Sequence, residues 1–288
     1  MNKLRKVVKA LRKCTREILR YMPIKESVST SVLYGELLKD RTALITGGTS
    51  GIGFSIADSF IKNGACVIIT GRDRRKIDMA VEKLKFQNDS ALIYGLELDN
   101  TRIKEMNEKF NNILKEINNR KIDILVNNAG IINKTQFWDS TEEDFDNVIN
   151  TNLKGTYFIT KIVAKYMLEN KIKGNILNIS SSSSIRPALT SYQLTKWGIR
   201  AFTKGLAKEL SPKGIVVNSI APGPTATDML LNGDNNINRP NSPIGRYATT
   251  DEIASLSTIL VSDLSRMIDG DTIFATGGCG NLTFDDWD

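Results

Sequence analysis

The sequence predicts an α/β fold in which helices flank one parallel, doubly wound β-sheet. Two observations support this prediction. Short apolar runs alternate with longer helical segments through about 240 residues, which is typical of a parallel sheet with crossover helices. The first of these runs also leads directly into a glycine-rich loop at residues 46–53. The chain of 288 residues is long enough for one large domain of this kind.

The predicted strands and helices follow one another from residue 41 onward. Residues 42–46 form the first strand, and residues 52–62 form a helix that ends at the capping pair Asn63-Gly64. Five further apolar runs are predicted to be strands, at 65–71, 91–99, 122–130, 174–180 and 214–223. Further helices are predicted at 74–86, near 141–170 and at 191–210.

A separate basic segment precedes this domain. Residues 1–25 hold nine basic side chains and one acidic one, a net of +8, whereas the whole chain carries +7 and the remainder therefore carries −1. Residues 3–22 are amphipathic at the helical period, and Pro23 ends the segment because its ring does not continue a helix. We therefore divide the chain into a basic helix with its linker at 1–40 and a globular domain at 41–288.

Three kinds of partner suit the basic helix. An anionic membrane surface attracts it, because each Lys or Arg near the headgroups contributes about 1 kcal/mol, although residues 1–25 contain neither Trp nor Phe. An acidic protein such as an acyl carrier is the second alternative. Packing of the apolar face on the domain or on a neighbouring subunit is the third. Nucleic acid is not predicted as a partner, since no groove-reading motif accompanies the charge.

The composition excludes several kinds of chemistry. The chain has no histidine, which excludes Ser-His-Asp and Cys-His nucleophilic catalysis and His-ligated metals. Its three cysteines, at 14, 66 and 279, are too few and too scattered for a disulfide framework or a metal clamp, so no metal is predicted. No apolar run approaches the roughly 18 residues of a spanning helix. We expect a cytoplasmic protein, with peripheral contact at the inner membrane face as the alternative.

The loop TGGTSGIG places Gly47, Gly51 and Gly53 between the first strand and the first helix. Glycine lets the backbone turn tightly and approach a pyrophosphate, whose charge then lies at the helix N-terminus. A plain glycine turn is the alternative, but the strand-loop-helix context favours nucleotide binding. The predicted sheet is therefore of the Rossmann type.

The second strand ends at Gly71-Arg72, about 20 residues after the glycines, where a dinucleotide site contacts the adenosine ribose. An acidic residue here binds the free 2′-hydroxyl of NAD, whereas a basic residue binds the 2′-phosphate of NADP. Arg72, with Arg74 and Arg75 nearby, favours NADP, while Asp73 keeps NAD open as the alternative.

Tyr192 and Lys196 stand four residues apart in a predicted helix, so their side chains share one face. A nearby cation lowers the pKa of a phenol from about 10, and such a tyrosine is suited to exchange a proton with a carbonyl oxygen. The preceding strand delivers the Ser181 hydroxyl, which is suited to bind the same oxygen.

In these residues the chain resembles the compact short-chain dehydrogenases/reductases over roughly residues 40–280. The resemblance rests on motifs in matching order: TGGTSGIG (46–53), Asp99, NNAG (127–130), Asn152, Ser181, Tyr192-x-x-x-Lys196 and APGPTATDM (221–229). It implies an NAD(P)-dependent oxidoreductase that acts on a carbonyl or alcohol and assembles as a homodimer or homotetramer, with contacts through the helices near 141–170 and 191–210.

The resemblance also implies a role for each matching position. Ser181 polarises the carbonyl, Tyr192 is the general acid or base, Lys196 binds the nicotinamide ribose and lowers the pKa of Tyr192, and Asn152 holds a water linked to the lysine. The cofactor is expected to contact a wider set of residues: Gly47, Thr49, Ser50, Gly51, Ile52, Gly53, Arg72, Asp99, Asn128, Tyr192, Lys196, Thr225 and Thr227.

Two departures from the family pattern leave questions open. The interval from Ser181 to Tyr192 is a residue or two shorter than usual in the family, and the serine run 180–184 leaves Ser182 as an alternative to Ser181. Thr225 stands where an aliphatic residue is common. The Asn-rich loop after Met229 suggests a small polar substrate, such as a keto sugar, a polyol or a 3-oxoacyl group, unless it only reflects composition. A non-catalytic NADP-binding scaffold or sensor, recruited through the N-terminal helix, is the alternative function.

Overall fold

The computed structural model describes residues 35–88, 91–118, 120–133, 135–231, 236–280 and 282. The basic segment predicted to be helical at 3–22 lies outside these residues. The seven strands found among them are β1 (Thr42–Ile45), β2 (Cys66–Gly71), β3 (Ile93–Glu97), β4 (Ile124–Asn127), β5 (Asn175–Ile179), β6 (Val216–Pro222) and β7 (Thr272–Ala275).

These strands form one sheet in the order β3-β2-β1-β4-β5-β6-β7, and every pairing is parallel. The α-helices of the described chain are α1 (Gly51–Lys62), α2 (Arg74–Gln87), α3 (Ile103–Glu116), α4 (Glu142–Ile149), α5 (Thr156–Glu169), α6 (Ser191–Leu210), α7 (Asp228–Leu231) and α8 (Thr250–Val261). A π-helical turn, Asn150–Gly155, joins α4 to α5. Because the chain order reverses on either side of β1, the gap between β1 and β4 is the topological switch point of the sheet.

Alternate residues of the strands pack on opposite faces of the sheet. In β1, Ile45 belongs to the core that α1 and α8 cover, whereas Leu44 belongs to the core that α3, α5 and α6 cover. A parallel sheet covered by helices on both faces needs apolar residues at successive positions, which is why the strands have nearly continuous apolar runs.

The predicted doubly wound parallel sheet is confirmed, and the six predicted strands are all present in it. The sequence analysis did not identify β7, α3 or α8. The first strand ends at Ile45 rather than residue 46, where the chain turns into the glycine loop. The Thr46 N–H still donates to the Val126 carbonyl, while its hydroxyl donates to the same carbonyl and accepts from the N–H groups of Asn128 and Ala129. Within the described residues, no helix is both long and apolar enough to cross a bilayer.

Candidate active site

A cleft of about 580 Å³ opens at the carboxyl end of the sheet, over the switch point between β1 and β4. In open α/β sheets ligands bind in this crevice, because the loops after the strands diverge there. The glycine loop forms one wall, the end of β2 forms a second, and the Ser181 loop and α6 close the other end.

The glycine loop approaches its neighbours so closely that side chains are excluded from it. Gly47 has φ +64°, in the left-handed region, and a Cβ there would lie 2.9 Å from the Ala129 Cα. A Cβ on Gly53 would lie 2.4 Å from both the Gly47 carbonyl oxygen and the Asn128 Nδ2. The Asn128 amide in turn donates to the carbonyls of Thr46 and Gly47 at 3.1 and 3.0 Å. Asn128 therefore holds the loop in place, besides lining the cleft.

The cleft fits a dinucleotide. Ser50 precedes α1 without a side-chain cap, so the first N–H groups of the helix have no side-chain acceptor from it, and the cleft wall here consists of Thr49, Ser50, Gly51 and Ile52. Two buried polar atoms of the cleft residues, Thr70 Oγ1 and Asn100 Nδ2, have no hydrogen-bond partner among the described residues. Backbone donors for a phosphate and unpaired polar atoms for a base and sugar are what such a ligand requires.

Basic side chains line the end of the cleft beside β2. Arg72 and Lys76 are exposed there, whereas Arg74 is held by Asp78 at 2.6 Å and by the Gly95 carbonyl. The Asp73 carboxylate caps α2 by accepting from two backbone N–H groups.

Asp99 lies on the same stretch of wall as Arg72. Partial burial raises the pKa of the Asp99 carboxyl, but hydrogen bonds from the backbone and hydroxyl of Thr101, together with the charges of Arg102 and Arg72, outweigh burial and lower it overall. Asp99 is therefore ionised at neutral pH, and it accepts both hydrogen bonds through one oxygen atom, Oδ1.

The predicted catalytic side chains meet at the opposite end. Helix α6 begins with a capping box between Thr190 and Gln193, which places Tyr192 in its first turn and Lys196 one turn later. The Ser181 hydroxyl hydrogen-bonds the Tyr192 phenol, and Lys196 Nζ lies 5.5 Å from the centre of the Tyr192 ring. Nζ donates to the Ile179 carbonyl at 2.9 Å.

The surroundings of Tyr192 move the pKa of its phenol in the direction opposite to the expected depression. Burial raises the pKa of the phenol above its usual 10, and the hydrogen bond from Ser181 only partly offsets this effect. Burial also lowers the pKa of Lys196 from 10.5 to about 8, so the cation that should stabilise a phenolate is itself weakened. At neutral pH Tyr192 therefore carries its proton.

The structure brings Ser181, rather than Ser182, to the cleft. Ser181 lines the cleft and caps the 3₁₀ turn Ser182–Ile185 by accepting from the Ser183 N–H at 3.1 Å. Ser182 is buried within that turn and is not part of the cleft wall.

Asn152 lies in the π-helical turn, and both the oxygen and the nitrogen of its side-chain amide form hydrogen bonds. Its Oδ1 accepts from the Ile131 N–H and its Nδ2 donates to the Ile131 carbonyl, both at 2.8 Å. A water at Asn152 stays a prediction, and the side chain itself fixes the loop that follows β4 through Ile131. Sequence analysis did not identify this partner because it lies 21 residues away.

The remaining predicted residues lie on the wall beyond β6. Thr225 and Thr227 both line the cleft, and the buried Thr225 hydroxyl donates to the Gly223 carbonyl at 3.0 Å. Sequence analysis missed the apolar part of this wall, formed by Ile132, Met229 and Leu230, because apolar side chains without a fixed spacing carry no signal. Within the described part of the chain, no three Cys, Asp or Glu side chains are arranged to hold a metal ion.

Comparisons with known proteins agree with this geometry. The family model for short chain dehydrogenase matches residues 41–237. A 3-oxoacyl-[acyl-carrier-protein] reductase of Chlamydia trachomatis is 37% identical over 247 residues, which are 84% of this chain and 98% of the relative. A 3alpha-hydroxysteroid dehydrogenase of Mediterraneibacter gnavus is 34% identical over 246 residues, 84% of this chain and 97% of the relative.

Solved structures show the same similarity. A putative gluconate dehydrogenase from Agrobacterium tumefaciens superposes with a TM-score of 0.78 at 30% identity, covering 85% of this chain and 98% of the other. A 3-oxoacyl-[acyl-carrier protein] reductase from Brucella melitensis also gives 0.78, at 28% identity, covering 90% of this chain and 98% of the other.

Proposed function

The chain belongs to the short-chain dehydrogenase/reductase family and is an oxidoreductase acting on CH–OH or C=O groups, and we propose that it is an NADP(H)-dependent carbonyl reductase that uses Ser181, Tyr192 and Lys196. The observation that supports this proposal most strongly is the convergence of these three side chains at one end of a cleft whose other end fits a dinucleotide. The non-catalytic scaffold is not proposed, because such a protein needs none of the three.

In the reducing direction, a carbonyl oxygen accepts hydrogen bonds from the hydroxyls of Ser181 and Tyr192. The bound nicotinamide supplies the hydride in reduction and accepts it in alcohol oxidation. Tyr192 gives its proton to the developing alkoxide, which its raised pKa allows because the phenol is protonated at neutral pH. Lys196 Nζ uses one hydrogen for the Ile179 carbonyl and has two more for the nicotinamide ribose and for stabilising the phenolate left behind.

NADP is the preferred cofactor in this proposal, with NAD as the alternative. Arg72 and Lys76 line the ribose end of the cleft, and Asp73, which follows Arg72 in the chain, is already used as a helix cap. A carboxylate engaged in this way is a poorer partner for a free 2′-hydroxyl, whereas an exposed guanidinium suits a 2′-phosphate.

The substrate is a small carbonyl or alcohol compound. The suggestion of a polar substrate came from an Asn-rich loop, and residues 232–235 of that loop lie outside the described residues. The described cleft wall carries the partly exposed apolar side chains of Ile132, Met229 and Leu230. Among the three expected classes, this wall favours a 3-oxoacyl group over a keto sugar or a polyol.

We also propose that the protein is a homodimer or homotetramer. Three large apolar side chains, Phe145, Tyr157 and Leu194, are 43–47% exposed on α4, α5 and α6, and Tyr157 stacks on Phe202 at 5.2 Å. Exposed apolar side chains gathered on neighbouring helices are typical of subunit contacts.

The family match begins at residue 41, so the basic segment is a separate unit in this proposal. We propose a cytoplasmic enzyme whose residues 3–22 contact an anionic membrane surface, with an acidic protein or packing within the protein as alternatives. Sedimentation with anionic vesicles, compared between the full chain and a chain lacking residues 1–25, tests this. Equal sedimentation of the two would contradict membrane contact.

The function is tested by NADPH consumption with 3-oxoacyl thioesters, ketoses, keto acids and diketones. We expect wild type to turn over at least one class and Tyr192→Phe to lose roughly 10²- to 10⁴-fold in kcat while still binding NADPH. Activity that survives Tyr192→Phe would contradict the proposed mechanism. NADPH binding without turnover of any substrate class by wild type would count against the proposed reaction.

A further inference from the structure

The serine run 180–184 raises a problem that the fold has to solve. Ser181 is one of five consecutive serines, so the position of the turn decides which hydroxyl faces Tyr192. Hydrogen bonds inside the run hold the turn together: Ser184 donates through both its N–H and its hydroxyl to the Ser181 carbonyl. These bonds lie within the turn, so the position of the turn relative to α6 depends on contacts outside it.

Two side chains of α6 make those contacts. Arg200 Nη1 donates to the Ser184 carbonyl at 3.0 Å, and Trp197 Nε1 donates to the Arg186 carbonyl at 2.8 Å. The Arg200 guanidinium lies 5.6 Å from the Trp197 ring centre and 5.3 Å from that of Phe274 in β7, so two rings fix its position. Both donors therefore reach carbonyls at the far end of the turn that Ser181 begins.

The same helix holds the other partners of the reaction. Tyr192, Lys196 and Arg200 follow one another at intervals of four residues along α6, and the Ser180 hydroxyl donates to the Lys196 carbonyl at 3.0 Å. The helix thus binds the serine loop at both ends, before Ser181 through Ser180 and after it through Ser184 and Arg186. A rigid helix with its own contacts sets the distance between Ser181 and Tyr192.

We propose that Arg200 and Trp197 are positioning residues that hold the serine turn against α6 and so present the Ser181 hydroxyl to Tyr192. This inference rests on the proposed function of Ser181. Both donors lie on the helix that also carries Tyr192, so they couple the position of the turn to that of the phenol.

The test compares Arg200→Ala with Lys204→Ala, which removes an exposed cation from the next turn of the same helix. We expect Arg200→Ala to lower kcat roughly 10- to 100-fold, as a small misplacement of a catalytic group does, with the Kd for NADPH within about twofold of wild type. Arg200→Lys keeps one donor and should recover part of the loss. In a Ser181→Ala background, Arg200→Ala should lower kcat less than threefold, because its effect acts through Ser181. Equal losses in both backgrounds would overturn the proposal.

A second readout needs no turnover. The Ser181 hydrogen bond lowers the pKa of the Tyr192 phenol, so displacing the turn should move that pKa upward. Ultraviolet difference titration against Tyr192→Phe measures it, and we expect Arg200→Ala and Ser181→Ala to shift it alike. An unshifted titration would overturn the proposal even if the enzyme has no known substrate, whereas a shift without turnover would count only against the proposed function. If Arg200→Ala does not fold, Trp197→Phe removes only the indole donor and should show a smaller shift of the same sign.

Discussion

The two ends of the cleft are built on different principles. The nucleotide end depends on side chains that are absent: Gly47 and Gly53 leave room for the backbone to approach Ala129 and Asn128. The catalytic end depends on side chains that are present and buried, and burial moves the pKa values of Tyr192 and Lys196 in opposite directions. Substitutions should therefore act mainly through steric clashes at the nucleotide end and mainly through changed electrostatics at the catalytic end.

The largest expected effect is at the nucleotide end. Gly53→Ala places a methyl group 2.4 Å from the Gly47 carbonyl and from Asn128, neither of which is free to move because they hydrogen-bond each other. We expect NADPH affinity to fall at least 100-fold, measured by fluorescence titration. Gly205→Ala in α6 is the matched control, since nothing lies within 4 Å of its added Cβ, and it should raise the free energy of unfolding by roughly 0.5–1 kcal/mol. A Gly53→Ala protein that binds NADPH normally would contradict the steric account.

Lys196→Met tests the electrostatic account of the catalytic end. The folded pKa of Lys196, about 8, lies below its usual 10.5, so the buried charge destabilises the folded protein by about 3 kcal/mol below pH 8. Between pH 8 and 10.5 the folded protein has released this proton and the unfolded chain has not, so the cost shrinks as pH rises. We therefore expect the variant to be inactive and more stable than wild type at pH 7, by up to this amount, with the difference falling toward pH 10.

Denaturant unfolding at several pH values measures this difference, and Lys204→Met, at an exposed site of the same helix, should show none of it. A gain in stability that does not change with pH would mean that packing, rather than the buried charge, is responsible. If the predicted result is found, Lys196 lowers the stability of the fold while it serves catalysis. No such conflict is expected at the glycine loop.

At both ends of the cleft, the sequence predicts the residues with a fixed local spacing and not their distant partners. The glycines at 47, 51 and 53 and the Tyr192–Lys196 pair were found because their function needs a fixed local spacing. The partners that complete the site lie far along the chain. The Asn128 amide donates to the Gly47 carbonyl from 81 residues away, and the Ile131 N–H donates to the side chain of Asn152. The raised pKa of Tyr192 likewise depends on what buries it, and no local pattern encodes that environment.

A smaller effect is expected at the ribose end, where charge acts near solvent. Arg72→Ser should weaken NADPH binding about tenfold and leave NADH binding nearly unchanged, because only NADPH carries the 2′-phosphate. Arg75→Ser is the matched control, since Arg75 is an exposed neighbour that does not line the cleft. Isothermal titration with both cofactors measures the difference. Equal weakening of NADPH and NADH binding would mean that Arg72 contacts a part of the cofactor that both share. The argument for NADP would then be lost.

The smallest effect is expected for Thr225→Val. The Thr225 hydroxyl lines the cleft, but it is buried and already donates to the Gly223 carbonyl two residues away. A donor engaged in this way shapes the loop rather than binding the cofactor, so we expect NADPH affinity to fall less than threefold and the free energy of unfolding to fall by about 1 kcal/mol. Fluorescence titration and denaturant unfolding measure the two quantities. A loss of NADPH affinity above tenfold with unchanged stability would show that the hydroxyl turns to the cofactor, and this wall would then join the catalytic end in depending on its side chains.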